Sequence, residues 1–252
     1  MTHSISIVTA VHSASAPFLT DAYASLRTQD LPSGWTWEWC VQEDGDGVNA
    51  VAYVPADRRV TIRSSRQGGP HVARNMAFAR SVGELVRNLD SDDQLTAGAL
   101  ARDIHVLTTH HDVGWTTSAV LDLLPDGSYS SFTLGDPADG RLPRGSMYEY
   151  WKTSNRPQVH PATLCVRRPL LALLGGWMAL PASEDTGLLL SLDAVADGWF
   201  TGETGMVYRK HEGQMTAHPD HSQGQEWEAR MSLIHERVAA LRGYQQTVHP
   251  SP

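Results

Sequence analysis

The sequence predicts an α/β fold: a mostly parallel sheet with helices on both faces. Three observations predict it. Strand-like and helix-like segments alternate through the first hundred residues, the pattern of strand–helix–strand crossovers. The chain has 252 residues, 41% of them hydrophobic, enough for one large core. Two strand-like segments, ending near Val41 and near Leu89, run straight into acidic clusters. In parallel sheets the carboxyl ends of the strands are where ligands gather.

The elements follow in order. Ile5 to Val11, with Ile7 and Val8 between, reads as a buried strand. Pro17 opens a helix with Phe18, Ala22 and Leu26 on one face, and Leu31-Pro32-Ser33-Gly34 turns the chain. Trp35, Trp37, Trp39 and Val41 alternate with Thr36, Glu38 and Cys40, which is strand periodicity, and the tryptophans are assigned to packing. The strand leads into the acidic, glycine-rich loop Gln42 to Gly47.

A short strand covers Val60 to Arg63. Gly68-Gly69-Pro70 then starts a helix expected to bury Val72, Met76 and Ala79. Leu85 to Leu89 is a strand ending in Asp90-Ser91-Asp92-Asp93, and Leu95 to Leu107 reads as a helix. Further strands are expected at Trp115 to Leu123, Ala162 to Val166 and Trp199 to Tyr208, with helices from Pro169 to Gly175 and from Thr186 to Ala196. Residues 135–157 form a long loop with some helix. Trp227, Met231, Ile234, Val238 and Leu241 recur at helical spacing, so the chain ends in an amphipathic helix. That helix packs on its own domain or, alternatively, forms a homodimer contact. The division expected is a domain over residues 1–220, with a nucleotide-binding half at 1–107 and an acceptor-binding half at 108–220, then a helical extension over 221–252.

Charge and cysteines narrow the function. The formal net charge is -8 and no Lys/Arg run exceeds two residues, which weighs against nucleic-acid binding. Cys40 and Cys165 are far apart and each lies in an apolar stretch, so they read as buried free thiols, consistent with the cytoplasm. The longest apolar stretches, such as Leu170 to Leu174, are far too short to span a bilayer. His110-His111-Asp112 reads as a polar loop rather than a metal site.

Two constellations carry chemistry. In Asp90-Ser91-Asp92-Asp93, three carboxylates in four positions repel one another unless a cation sits among them, and a hard divalent ion shared with phosphates suits such a loop. Taken alone the cluster also fits a solvated turn or helix cap. In Gly68-Gly69-Pro70-His71-Val72-Ala73-Arg74-Asn75 the glycines and proline shape a helix entry, from which Arg74 can reach a phosphate or brace the acids.

The combination is more specific than its parts. Glu43-Asp44-Gly45, Gly69-Pro70-x-x-Ala73-Arg74-Asn75, Leu89-Asp90-Ser91-Asp92-Asp93, Leu174-Gly175-Gly176-Trp177, Ser183-Glu184-Asp185 and Tyr208-Arg209-Lys210-His211 occur in one order from about residue 4 to residue 216. Together they resemble glycosyltransferase family 2, with its GT-A fold. The resemblance implies a metal-dependent, inverting transfer of a sugar from a nucleotide diphosphate donor, most readily a UDP-sugar, to a hydroxyl of a small soluble acceptor.

Residue by residue, the resemblance implies that Glu43 and Asp44 contact the base and ribose. Glu43 stands where the family more often has Asp. Arg74 lies near the nucleotide, Asp90 near the ribose, and Thr9 and Ser91 are grouped with the donor site. Asp92 and His211 would hold Mn²⁺ or Mg²⁺, and the role of Asp93 stays open. Asp185 would be the general base, with Glu184 and Trp177 on the acceptor side, where the indole could stack on a sugar.

Two other readings compete. A nucleotidyltransferase should carry a glycine-rich, basic phosphate loop, and after Thr9 the chain reads Ala-Val-His-Ser-Ala-Ser-Ala-Pro. A non-catalytic sugar-nucleotide-binding protein would keep Asp90 and Asp92 and have no need of Asp185.

Overall fold

The structure is a computed structural model that describes residues 3–133, 135–214 and 221–248. The strands are β1 (His3–Val11), β2 (Trp35–Asp44), β3 (Val60–Ser65), β4 (Leu85–Asn88), β5 (Gln94–Leu95), β6 (Val113–Leu123), β7 (Tyr129–Phe132), β8 (Gly140–Leu142), β9 (Cys165–Arg167) and β10 (Asp197–Arg209). The helices are α1 (Leu19–Arg27), α2 (Pro70–Arg80), α3 (Ala99–Thr109), α4 (Ser146–Ser154), α5 (Arg168–Leu173), α6 (Glu184–Val195) and α7 (Gly224–Val248).

One sheet runs through the described residues in the order β3-β2-β1-β4-β9-β6-β10-β5, with β7 on β6 and β8 on β10. Its first four strands are parallel, as the alternation predicts. Beyond β4 it is mixed: β9 runs antiparallel to both β4 and β6, while β10 is parallel to β6. The change coincides with the point where regular strand–helix alternation gives way to longer connections in the sequence.

The period of two in β1 sorts its side chains between two cores. Ile5, Ile7 and Val11 pack with residues of α1 and α3. Val8 packs on the other face, with residues of α2, α4, α6 and α7. Trp37 and Trp39 are buried, as expected of sheet packing, and Cys40 and Cys165 are free and buried.

Three element expectations need correction. Helix α2 buries Ala73, Arg74 and Ala77, whereas Met76 is 48% exposed and Ala79 also faces out. Two alanines on the inner face let the helix lie close to β1 and β2, and Arg74 is drawn inward by carboxylates rather than by apolar area. Leu95 belongs to β5, paired with Met206, and the helix begins only after Gly98, whose φ of 72° breaks the run. Pro161 to Thr163 form a 3-10 turn, and the strand starts at Cys165, because the proline has no N–H for a ladder.

The terminal helix α7 packs on its own domain. Met231, Ile234 and Val238 enter the second core, and polar side chains stitch the helix down. Arg237 donates to the Leu174 carbonyl, the Tyr148 hydroxyl lies 2.8 Å from His235 Nδ1, and Arg242 donates to Glu149 at 3.0 Å. No helix of the described residues is long and apolar enough to cross a membrane.

Candidate active site

A cavity of about 1080 Å³ opens at the carboxyl ends of the parallel strands. Ala10 and Val11 from β1, Asp44 from β2, the Arg66–Pro70 segment after β3 and Asp90, Ser91 and Asp92 after β4 line one side. Ala179, Pro181, Ala182 and the Ser183–Asp185 segment opening α6 line the other, with Tyr208, Gln214 and His221 at its rim.

The first side is shaped by glycines and held by carboxylates. Asp44 accepts the Gly68 and Gly69 amides at 2.7 and 3.1 Å. Gly69 has φ +91°, a conformation that side chains disfavour, and it delivers the chain to Pro70 at the first position of α2. One turn later Arg74 reaches the centre of the site. Its Nη2 donates to Asp90 Oδ1 at 2.5 Å and its Nη1 donates to Glu184 Oε1. A single guanidinium thus joins the acid loop after β4 to the first residue of α6, Glu184, which lies 110 positions from Arg74 in sequence.

The acid loop is fixed from outside. Arg209 donates its amide to Asp93 Oδ1 at 3.0 Å and its Nε to the Asp92 carbonyl at 3.0 Å. Asp93 is fully buried, and its Oδ2 has no hydrogen-bond partner among the described residues. Burial, then the Asp92 and Asp90 charges, push its pKa well up. Ser91 donates to Ser15 Oγ at 2.8 Å, tying the loop to the turn before α1.

Asp92 Oδ2 lies 2.8 Å from His211 Nε2. Among the described residues no three His, Cys, Asp or Glu side chains converge as a metal cage. The Asp92–His211 pair still fits a divalent ion, because Mg²⁺ and Mn²⁺ take few protein ligands when phosphate oxygens complete the shell.

The carboxylates titrate differently across the cavity. Burial raises Asp90, but the Arg74 charge and hydrogen bonds from Arg74 and Asn88 outweigh it, so its pKa lies below the ordinary value. For Asp185 burial wins: Arg74 opposes it, Asp90 reinforces it, and the pKa is raised. Glu184 is raised too, by burial and by Asp185, against the pull of Arg74. Both of Arg74's bonds go to Asp90 and Glu184. Asp185 accepts the Thr186 amide at 2.6 Å and faces the cavity, a carboxylate with raised basicity at the start of a helix.

The predicted residues thus divide. Asp44, Arg74, Asp90, Ser91, Asp92, Glu184 and Asp185 converge on one cavity, with His211 bonded to Asp92 at its edge. Three sit apart. Thr9 is fully buried; it donates to the Leu89 carbonyl at 2.6 Å and accepts the Trp39 indole N–H at 2.8 Å. Glu43 accepts the Ala50 amide at 2.6 Å and braces the loop after β2.

Trp177 is 5% exposed and belongs to the core, so its ring is not offered to a sugar. Its backbone is clamped by Asn75, which accepts from the Trp177 amide at 3.0 Å and donates to its carbonyl at 3.0 Å. The preceding Gly176 has φ +73°, and a Cβ there would lie 2.0 Å from Asn75 Oδ1. Gly176 and Asn75 therefore serve one close approach between α2 and the segment leading to α6.

Sequence reasoning missed His160 and Tyr208 as cavity neighbours. Their rings lie 4.7 Å apart, and Tyr208 lines the cavity. Burial lowers the His160 pKa to about 4, opposed by the Asp90 charge. The nearest sequence signal is the Tyr208-Arg209-Lys210-His211 run; a lone histidine before Pro161 offers none.

Comparison with known proteins agrees with this geometry. Residues 6–131 match the family described as Glycosyl transferase family 2. The O-antigen biosynthesis protein RfbC of Myxococcus xanthus is 35% identical over 103 residues, covering 38% of this chain; the match spans 8% of that relative's length. Among solved structures, S. aureus TarS 1-349 in complex with UDP-GlcNAc has a TM-score of 0.73 at 18% identity, covering 94% of this chain and 66% of that one. The same protein in complex with UDP gives 0.70 at 16% identity, covering 99% and 73%. The fold is GT-A.

Proposed function

The chain belongs to glycosyl transferase family 2, and from that premise we propose that it transfers a sugar from a UDP-sugar to an acceptor hydroxyl, with a divalent metal ion and with inversion at the anomeric carbon. The observation that carries the reading is the division of one cavity. Asp90 and Asp92 stand at the strand ends and Asp185 on the facing helix, with the Asp90 pKa lowered and the Asp185 pKa raised. The structural likeness to a protein crystallised with UDP-GlcNAc and with UDP supports the choice of donor.

In this reading the strand-end side binds the nucleoside diphosphate. Asp92 and His211 hold Mn²⁺ or Mg²⁺, which when bound offsets the negative charge that develops on the leaving diphosphate. Arg74 keeps Asp90 ionised and fixes it against α6. Asp185 takes the proton of the attacking hydroxyl. Its raised basicity suits that role, since a carboxylate with an ordinary pKa is a weaker proton acceptor near neutral pH. One base acting on a hydroxyl that attacks directly gives inversion.

The test is calorimetric titration with UDP, GDP and dTDP, each with Mn²⁺, with Mg²⁺ and with EDTA. Binding of UDP that needs the metal is expected. Binding unaffected by EDTA, or preference for another nucleotide, would overturn the metal or the donor assignment respectively.

A further inference from the structure

Helix α7 lies beyond the residues matched by the family, yet one of its side chains reaches the active site from behind. Arg230 is 3% exposed. Its Nη1 donates to Ser183 Oγ at 2.7 Å and its Nη2 to the His221 carbonyl at 3.1 Å, while Glu226 lies 3.5 Å from its Nε. Ser183 immediately precedes Glu184 and Asp185, and it adopts φ 63° and ψ 16°, the left-handed region rarely taken by a residue other than glycine. Such a conformation persists only where surrounding contacts hold it. His221 lines the same cavity.

The anchor behind Arg230 is firm. Met231, Ile234 and Val238 bury the helix face beside it, and Arg237, His235 and Arg242 fasten the following turns. Arg230 therefore holds two parts of the cavity rim to a fixed helix. Ser183 is the N-cap of α6 and stands two residues before Asp185.

We propose that Arg230 is a positioning residue: it holds the left-handed turn at Ser183, and so aims Asp185 at the acceptor hydroxyl, making the α7 extension part of the catalytic apparatus. The inference rests on the reading of Asp185 as the base.

The test compares Arg230→Ala, Arg230→Lys, Ser183→Ala and the double variant Arg230→Ala/Ser183→Gly with the parent chain. Three readouts are followed: UDP affinity with Mn²⁺, kcat and KM for UDP release from UDP-N-acetylglucosamine, and the chemical shift and hydrogen exchange of the Thr186 amide by NMR. The amide donates to Asp185 at 2.6 Å and reports its position without any substrate.

Arg230→Ala and Ser183→Ala should each lower kcat by roughly tenfold to a hundredfold, since small misplacements of a reacting group cost that much. KM and UDP affinity should stay within about twofold, and the Thr186 amide should shift and exchange faster. Arg230→Lys should recover only part of kcat, because an ammonium cannot keep both bonds in the guanidinium geometry. Adding Ser183→Gly should restore part of the loss, because glycine takes positive φ unaided. Should Arg230→Ala fail to fold, Ser183→Ala breaks the same contact without touching α7.

Unchanged kcat and an unchanged Thr186 amide in Ser183→Ala and in whichever Arg230 variants fold, even with a lowered Tm, would overturn the inference and leave Arg230 a structural brace. The Asp185→Asn variant separates the two readings. Full turnover in Asp185→Asn removes the base and this inference with it, whereas an inactive Asp185→Asn beside fully active Arg230 and Ser183 variants removes this inference alone.

Discussion

The two sides of the cavity use carboxylates in opposite ways. On the strand-end side the acids that line the cavity are paired, Asp44 with two backbone amides, Asp90 with Arg74 and Asp92 with His211, while Asp93 behind them is buried with its pKa pushed up. On the α6 side Glu184 takes the remaining arm of Arg74, and Asp185 is left with the Thr186 amide and a raised pKa. The difference teaches that one pocket can lower the pKa of one carboxyl, Asp90, and raise those of Glu184 and Asp185 across from it. Burial raises Asp185, and the neighbouring Asp90 charge adds to it against the pull of Arg74, whose hydrogen bonds go to Asp90 and Glu184.

The comparison breaks most easily at Asp185. Asp185→Asn should lower the rate of UDP release by about 10²- to 10⁴-fold, the usual worth of a general base, with UDP affinity little changed. The pH profile sharpens this. The base works ionised, and its pKa is raised above the ordinary aspartate value, so kcat should fall as pH drops, with an inflection above about 3.9. An inflection at or below that value would contradict the burial argument.

Next in size is Arg74→Ala. It leaves Asp90, Glu184 and Asp185 facing one another without their cation, and removing one partner of a buried ion pair costs about 3–5 kcal/mol. Chemical denaturation at pH 7 should show that loss. It should shrink at lower pH as the carboxyls take up protons, and a loss independent of pH would argue against charge as its cause.

His160 should make a smaller contribution. Its folded pKa is about 4, below the ordinary 6.5, so the folded state resists protonation. As pH falls from 6.5 toward 4 the unfolded chain takes the proton first, and stability should decline by an amount on the order of 1–3 kcal/mol. His160→Asn should flatten that decline in pH-dependent denaturation. The smallest effect is expected at Glu43→Gln: Glu43 braces Ala50 rather than lining the cavity, so UDP affinity should stay within roughly twofold, and a larger loss would return Glu43 to the donor site.

Much of this was legible in the sequence where one local pattern determines one local structure. The apolar run Ile5 to Val11 placed β1 and period-two alternation placed β2, the glycines before Pro70 placed the start of α2, and the ordered acid and glycine motifs named seven residues that do line one cavity. The rest depends on contacts that periodicity does not encode. The inner face of α2 is turned by Arg74 seeking acids rather than by Met76 seeking the core. Trp177 has the sequence setting of a stacking platform but is buried by α2 through Asn75. Thr9 looks like a strand-end ligand and instead satisfies the Trp39 indole. The link from Arg230 to Ser183 spans 47 positions and carries no motif.

The most direct test of the two-sided cavity is calorimetric titration of UDP with Mn²⁺ into the parent chain, Asp92→Asn and Asp185→Asn. The account predicts that Asp92→Asn loses metal-dependent binding while Asp185→Asn binds as tightly as the parent. Equal binding by Asp92→Asn, or loss of binding in Asp185→Asn, would contradict it.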